Sequence, residues 1–230
     1  MKTIVSAFSF IVSCAVAFAT AQFPDKITIG SNEQEMICNP LESYLEKFPK
    51  KRPRDGIQST ALWRGYVAHF EIREEVLWVK DIKIEVTKKG SKAPEWESEW
   101  RSVLQEVFPK TSDRKADWFT GFLILPLGEM THYVHMGYAS EYEQYRLVFV
   151  RKGKVKANRV FTTTEYAEYK QLQFKAFSKT ERYQAMKKQV DDKGRDAYSL
   201  NAENFLYIFD VTFPVEILID YKDFKPNTER

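Results

Sequence analysis

The feature that most constrains the fold is a pair of alternating segments separated by a short charged turn. Residues 62–72 and 76–86, on either side of residues 73–75, place apolar side chains at most alternate positions, the exceptions being Arg64 and Lys80. Successive side chains of a β-strand point to opposite faces, so this period of two predicts strands. Residues 145–150 and 155–161 repeat the arrangement around a Lys-Gly pair. Two such pairs predict antiparallel hairpins.

Two main helices are also predicted. Residues 95–108 follow Pro94 and carry apolar residues at helical spacing, and residues 163–190 follow the capping box Thr162-x-x-Glu165. The apolar stripe of the first is Trp96, Trp100, Val103, Leu104 and Val107. Other predicted elements are strands at 26–29, 35–38, 118–125, 130–136 and 203–221 and a short helix at 39–48. The expected fold is α+β, a single domain in which antiparallel hairpins pack against the two helices.

The first 21 residues have the pattern of a secretory signal peptide. Lys2 supplies a positive start, residues 4–18 are mostly apolar, and Ala19-Thr20-Ala21 places small residues at a cleavage site. Cleavage after Ala21 would leave residues 22–230 in a secreted or periplasmic protein. The alternative is a lipid anchor at Cys14, because the three residues before it and Cys14 itself resemble a bacterial lipobox. After residue 21 no apolar stretch is long enough to span a bilayer.

Cysteine and charge content exclude several classes of protein. Without the leader the chain keeps only Cys38, so a scaffold held by internal disulfides is excluded and stability must come from the apolar core. The whole chain has 35 Lys and Arg against 32 Asp and Glu, which is nearly balanced. A nucleic-acid partner is therefore not predicted.

The densest polar and aromatic cluster lies at residues 132–142. It contains two of the three histidines, and we expect His135, Tyr138 and Glu141 to wall a ligand groove with Arg64 or Trp63 across from them. Arginine and rings could hold a polar ligand, and His135 or Glu141 would supply a titratable group. The same residues would serve equally as a buried polar network that ties two hairpins together.

The sequence predicts no metal and no cofactor. His132 and His135 are three positions apart, so a regular strand would direct them to opposite faces. The sequence does not determine whether they converge with His69, because no ligand spacing is present. No phosphate-binding loop, dinucleotide fingerprint or nucleophile motif occurs either.

The functional hypothesis that follows is an exported, non-enzymatic binding or accessory module, with a glycan, a peptide or an envelope protein as partner. One alternative is an extracytoplasmic hydrolase acting on a glycan or peptide polymer, for which Arg64, Asp117, His135 and Glu141 are the plausible site. Another alternative is an envelope-associated structural protein. The hydrolase requires that its four side chains meet in one cleft.

Two strings carry a resemblance to other proteins. Residues 60–68 read TALWRGYVA and residues 133–138 read YVHMGY. They resemble strings in a set of uncharacterised bacterial proteins, and Asn39-Pro40-Leu41-Glu42 accompanies them. The resemblance implies a bacterial source and does not imply an activity or any site residue.

Overall fold

The computed structural model of the chain describes residues 21–90, 97–135 and 138–192. This part of the chain has an α+β fold with more strand than helix. Its strands are β1 (Asp25–Ile29), β2 (Asn32–Met36), β3 (Val67–Arg73), β4 (Val76–Thr87), β5 (Ser98–Ser102), β6 (Gly121–His132), β7 (Glu141–Arg151) and β8 (Lys154–Thr162). Its helices are α1 (Glu42–Lys47), α2 (Leu104–Val107), α3 (Thr163–Phe177) and α4 (Glu181–Asp192), none of them long and apolar enough to cross a membrane.

The described strands form one mixed sheet in the order β2-β1-β3-β4-β8-β7-β6, with β5 beside β4. Neighbours are antiparallel except β1 and β3, which run parallel. β4 and β8 share a single residue pair, Val76 with Lys154. The two ends of the order also meet, because the Ile37 N–H donates to the Ile124 carbonyl at 3.0 Å. The sheet is therefore strongly curved around its apolar core.

Both predicted hairpins are present. β3 and β4 are joined by Glu74 and Glu75, and β7 and β8 by Lys152 and Gly153, and all four residues have positive φ. Positive φ at both central residues matches the twist of the flanking strands in a two-residue hairpin turn. The first strand of the β3–β4 hairpin begins at Val67 and not at the predicted Leu62. The five residues before Val67 contain a turn and are not part of a strand.

The helix predicted for residues 95–108 is wrong. Residues 98–102 form β5, which pairs with β4 from Lys83 opposite Ser102 to Thr87 opposite Ser98. The helical part is reduced to the four residues of α2. Trp100 is 42% exposed, so it is not the core residue that the apolar stripe predicted. Residues 98–102 form backbone hydrogen bonds with the edge of β4 along their whole length. This pairing stabilises a strand more than the helical spacing of a few apolar side chains would stabilise a helix.

The long helix predicted for residues 163–190 is interrupted. The capping box is present, since the Thr162 hydroxyl accepts from the Glu165 N–H and the Glu165 carboxylate accepts from the Thr162 N–H. α3 then ends at Phe177, and Thr180 begins α4 by accepting from the Tyr183 N–H at 3.2 Å. A threonine that caps a new helix start competes with continuation of the old one. The prediction of two main helices is therefore not confirmed.

Three smaller predictions need revision. The predicted strands 118–125 and 130–136 are largely one strand, β6, which tolerates Pro126 because it is last in the sheet order. The short helix α1 starts at Glu42 and has no side-chain cap, so Asn39 does not cap it. The strand predicted at 203–221 lies outside the described residues.

The sheet has a buried inner face and a polar outer face over β1, β3 and β4. Ile27, Phe70 and Ile82 are fully buried, whereas Lys26, His69 and Lys83 at neighbouring positions are only partly buried. Adjacent residues of a strand face opposite sides, so these polar side chains share the outer face. This outer face is the floor of the cleft described below.

We expect Gly153→Ala to destabilise the protein more than Gly30→Ala. Both glycines have positive φ, which costs a residue with a Cβ about 1–2 kcal/mol. An added Cβ at Gly153 would also lie 2.8 Å from the Ala116 oxygen and 2.9 Å from the Asp117 nitrogen, whereas at Gly30 it would meet nothing within 4 Å. Urea unfolding should show an additional loss of about 1–2 kcal/mol for Gly153→Ala. Equal losses would contradict the close approach of the β7–β8 turn to residues 116–117.

Candidate functional site

Arg64 is the centre of a buried polar cluster. Its side chain is 1% exposed. Nη1 donates to the Tyr138 hydroxyl at 2.9 Å, and Nη2 donates to the Phe23 carbonyl at 2.9 Å and to Asp25 Oδ1 at 3.2 Å. We call Arg64, Asp25, Tyr138, Asn39 and the Phe23 carbonyl the Arg64 network. It joins segments that are far apart in the sequence.

Tyr138 completes this network. Its hydroxyl accepts from Arg64 and has two acceptors within reach, the Phe23 carbonyl at 3.0 Å and Asn39 Oδ1 at 3.1 Å. Burial raises the pKa of Tyr138, and the nearby Arg64 charge lowers it by less, so the hydroxyl keeps its proton at neutral pH. The structure thus brings Arg64 and Tyr138 together as partners in a buried hydrogen-bond network, which is the alternative that the sequence leaves open beside a ligand groove.

A second polar cluster lies beside the first. Glu42 Oε1 accepts from the Tyr66 hydroxyl at 2.6 Å and from Arg52 Nη1 at 2.9 Å, and Oε2 accepts from Arg52 Nη2 at 2.6 Å. Burial tends to raise the pKa of Glu42, but these hydrogen bonds prevail and lower it. The Arg64 guanidinium lies 5.7 Å from the centre of the Tyr66 ring, so the two clusters are adjacent.

Asp25 carries a perturbed carboxyl group. It is fully buried, and burial raises its pKa to about 6, although Arg64 and the Ala68 N–H act in the opposite direction. Only Oδ1 receives these donors; within the described part of the chain Oδ2 has no hydrogen-bond partner. The charge is therefore only partly compensated, which accounts for the upward shift.

The other predicted site residues lie apart from Arg64. Trp63 is 48% exposed, although it is next to Arg64 in the sequence. His135 is exposed, and its Nδ1 lies 2.7 Å from the Tyr133 hydroxyl oxygen. Glu141 is exposed at the first position of β7, where it pairs with His132.

The four residues proposed for a hydrolase do not meet in one cleft. Asp117 lies beside Gly153, at the turn that follows β7, whereas Glu141 is at the opposite end of that strand. A strand of this length spans roughly 30 Å. Arg64 is buried in its network, so acid, base and cation are not placed around one reacting bond.

The outer face of the sheet carries a cleft of about 310 Å³ that sequence analysis did not identify. Its apolar walls are Phe23, Pro24, Val67 and Trp100, and its polar lining is Lys26, Glu35, His69 and Lys83. We call it the ring cleft, because the Phe23 and Trp100 rings meet edge-on with their centres 6.0 Å apart. The two residues are 45% and 42% exposed.

The polar lining of the ring cleft mixes hydrogen-bond donors and acceptors. Lys26 is paired with Glu33 at 3.2 Å, and Lys83 lies 3.9 Å from Asp81. Burial, then the Lys83 charge, lowers the pKa of His69, although Glu33 and Asp81 oppose this. His69 is therefore uncharged at neutral pH and offers one donor and one acceptor nitrogen.

The sequence does not predict the ring cleft, because the spacing at residues 95–108 favours a helix for Trp100 and no predicted element contains Phe23. One signal was available. Ser98, Trp100 and Ser102 alternate with Glu99 and Arg101, which is a period of two around an isolated ring. The cleft is formed by side chains from β1, β3, β4 and β5, and the pattern of a single segment does not predict that these strands become neighbours.

The described histidines do not gather as metal ligands. His69 lies in the ring cleft, whereas His132 ends β6 and His135 follows it in the connection to β7. Within residues 21–90, 97–135 and 138–192 no group of three or more His, Cys, Asp and Glu side chains is placed to hold a metal ion. Cys38 is buried, and its sulfur accepts from the Ile124 N–H at 3.4 Å.

Comparison of the chain with models of protein families, with curated protein sequences and with solved structures finds no match. The resemblance of the two strings at residues 60–68 and 133–138 therefore stays a prediction.

We expect the contribution of Asp25 to stability to fall as pH rises. A carboxyl whose pKa is about 6 in the folded state and 3.8 otherwise binds its proton more tightly when folded. Its stabilising effect is complete below the lower value and is lost as pH rises through the higher one. The unfolding free energy of the parent protein minus that of Asp25→Asn should therefore decrease by about 1 kcal/mol between about pH 5 and about pH 7.5.

Chemical denaturation of both proteins at each pH measures this difference, and the other titrating groups cancel in it. A difference that increases with pH would show that Arg64 outweighs burial and lowers the pKa of Asp25.

Proposed function

We propose that this chain is an exported, non-enzymatic binding module and that its ligand occupies the ring cleft. The observation that carries the proposal is the pair of half-exposed rings, Phe23 and Trp100, which stand over a polar sheet face. Small-ligand sites are concave and mostly apolar, with a few convergent polar groups, and their volumes are about 300–1,000 Å³. The ring cleft, at about 310 Å³, is near the lower end of that range.

The ligand class that fits the lining best is a neutral, hydroxyl-bearing ring compound, such as a unit of a saccharide chain. The charges of Lys26 and Lys83 have carboxylates beside them, so the cleft offers little uncompensated positive charge to an anion. Ammonium groups, a neutral imidazole and the Glu35 carboxylate supply both donors and acceptors, which hydroxyl groups can satisfy in either direction. The flat faces of the rings would contact the apolar face of such a ligand.

An enzymatic role has less support than a binding role. The hydrolase hypothesis depended on one cleft shared by Asp117, His135, Glu141 and Arg64, but Asp117 lies at the opposite end of β7 from Glu141 and Arg64 is buried. Among the described residues that line the ring cleft, Glu35 is the only carboxylic acid, whereas most glycoside hydrolases use a pair of them. An envelope-associated structural role is the other alternative, and cell fractionation would address it.

Export is part of the proposal and rests on the leader pattern in residues 1–21. The fold holds the chain from the residues directly after the expected cleavage site. Gln22 Nε2 donates to the Thr60 carbonyl at 2.6 Å, and the Phe23 N–H donates to the Ala61 carbonyl at 2.9 Å. A mature chain that starts at Gln22 would therefore be tied to the fold at its first residues, where termini otherwise fray.

We expect the native mature protein to begin at Gln22. N-terminal sequencing together with intact mass measurement of protein purified from its source would establish the start. A chain that begins at a lipid-modified Cys14, or that retains Met1, would contradict cleavage after Ala21.

We expect Trp100→Ala to weaken binding of the neutral probe chitotriose about tenfold or more, because a ring that packs against a ligand is a common hot spot. Phe23→Ala should act in the same direction. The matched control is Trp63→Ala, since Trp63 has a similar exposed fraction but lies outside the ring cleft. Isothermal titration calorimetry measures each affinity, with tetragalacturonate and a tetrapeptide as the charged and the peptide alternatives.

Loss of binding in Trp63→Ala but not in Trp100→Ala would place the ligand at Trp63 and contradict the ring cleft. Preference for tetragalacturonate or the peptide would contradict the neutral ligand class while retaining the cleft. Failure of all three probes and of a broad glycan array to bind would contradict the proposed function.

A further inference from the structure

We propose that Arg64 and Tyr138 are positioning residues for the ring cleft, which hold the backbone of Phe23 so that its ring stands against Trp100. The inference rests on the proposed function for its biological meaning. Its structural content, that the buried Arg64 network sets the position of an exposed ring, can be tested without any ligand. Neither Arg64 nor Tyr138 lines the ring cleft itself.

The backbone of Phe23 is held on both sides. Its N–H donates to the Ala61 carbonyl at 2.9 Å, and its carbonyl accepts from Arg64 Nη2 at 2.9 Å and from the Tyr138 hydroxyl at 3.0 Å. Pro24 follows, and a residue before proline is restricted to extended conformations. Phe23 therefore has a fixed backbone, although the residue is 45% exposed and precedes the first strand.

A fixed backbone matters for an exposed ring because a free ring must be ordered when a ligand binds. Ordering one side chain and its backbone costs part of the binding energy, and a wall that is already in position avoids this cost. With the backbone fixed, the Phe23 ring can change position only by changing its side-chain rotamer. The contact with Trp100 restricts the rotamer as well.

The chemistry of the network suits this task better than it suits simple stabilisation. A buried ion pair such as Arg64 with Asp25 contributes little net stability, because the desolvation of both groups offsets their attraction. Its geometry is specific, however. The planar guanidinium of Arg64 holds its N–H donors in fixed directions. With Asp25 as a partner, Nη1 donates to Tyr138 and Nη2 to Phe23, an arrangement that a point charge could not specify.

The test compares two variants that each remove one buried phenolic hydroxyl. Tyr138→Phe removes a donor to the Phe23 carbonyl. Tyr66→Phe is the matched control, since the Tyr66 hydroxyl is in the adjacent cluster, bonded to Glu42, and makes no contact with Phe23. The protein is labelled with 5-fluorotryptophan, and the Trp100 resonance is assigned from Trp100→Phe. Phe23→Ala then provides the chemical shift of Trp100 without its ring neighbour.

The Trp100 fluorine resonance in Tyr138→Phe should shift or broaden toward the Phe23→Ala position, and in Tyr66→Phe it should stay at the parent position. Chitotriose affinity should fall about threefold to tenfold in Tyr138→Phe alone, the effect of one lost neutral hydrogen bond. Arg64→Lys is the second variant; it keeps a positive charge beside Asp25, cannot reach all three partners, and should move the resonance further than Tyr138→Phe does.

Equal effects of Tyr138→Phe and Tyr66→Phe on the resonance would overturn the inference, as would an unchanged resonance in both Tyr138→Phe and a folded Arg64→Lys. If Arg64→Lys does not fold, Tyr138→Phe decides alone. If none of the three probes and no glycan of the array binds the parent protein, the proposed function fails, whereas the fluorine measurement still decides whether the network positions Phe23.

Discussion

The buried contact between Arg64 and the Phe23–Asp25 segment is the constraint on which the rest of the described structure depends. One guanidinium connects the chain before β1, the turn before β3 and the connection before β7, through the Phe23 carbonyl, Asp25 and the Tyr138 hydroxyl. Because β1 pairs with β2 on one side and with β3 on the other, this contact places one end of the sheet. An arginine can do so because it presents several donors in fixed directions.

The same contact connects the interior of the fold to its outer surface. Inside the fold, Asp25 and Arg64 are desolvated, and the charge of each is compensated by the charge of the other. Outside, Phe23 stands opposite Trp100 over the polar face of β1, β3 and β4. The half-exposed rings of Phe23 and Trp100 are not part of the apolar core, so they can contact a ligand. The sheet face beneath them supplies polar groups that can form hydrogen bonds. A surface of this composition is suited to a ligand that combines an apolar face with hydroxyl groups.

Local patterns were predicted well where the interactions that stabilise them are local. The two-residue hairpin turns and the Thr162–Glu165 capping box depend on residues a few positions apart, and both are present. The helix predicted at 95–108 failed because β5 depends on β4, a partner that a helical spacing of side chains does not report. For the candidate site, the sequence leaves a ligand groove and a buried polar network open for Arg64 and Tyr138 and assigns no role to Phe23, because the outcome depends on β1 lying beside β3.

The sequence by itself determined the α+β class, the antiparallel hairpins, the absence of an internal disulfide once residues 1–21 are removed, and the leader pattern that predicts export. These follow from periodicity, from residue counts and from contacts between near neighbours in the chain. Only the tertiary structure decided that Trp100 is a surface ring, that Arg64 is buried with Asp25, and that the ring cleft exists. Each of these depends on which strands become neighbours, and that is set by burial and hydrogen bonding between segments that are far apart in the sequence.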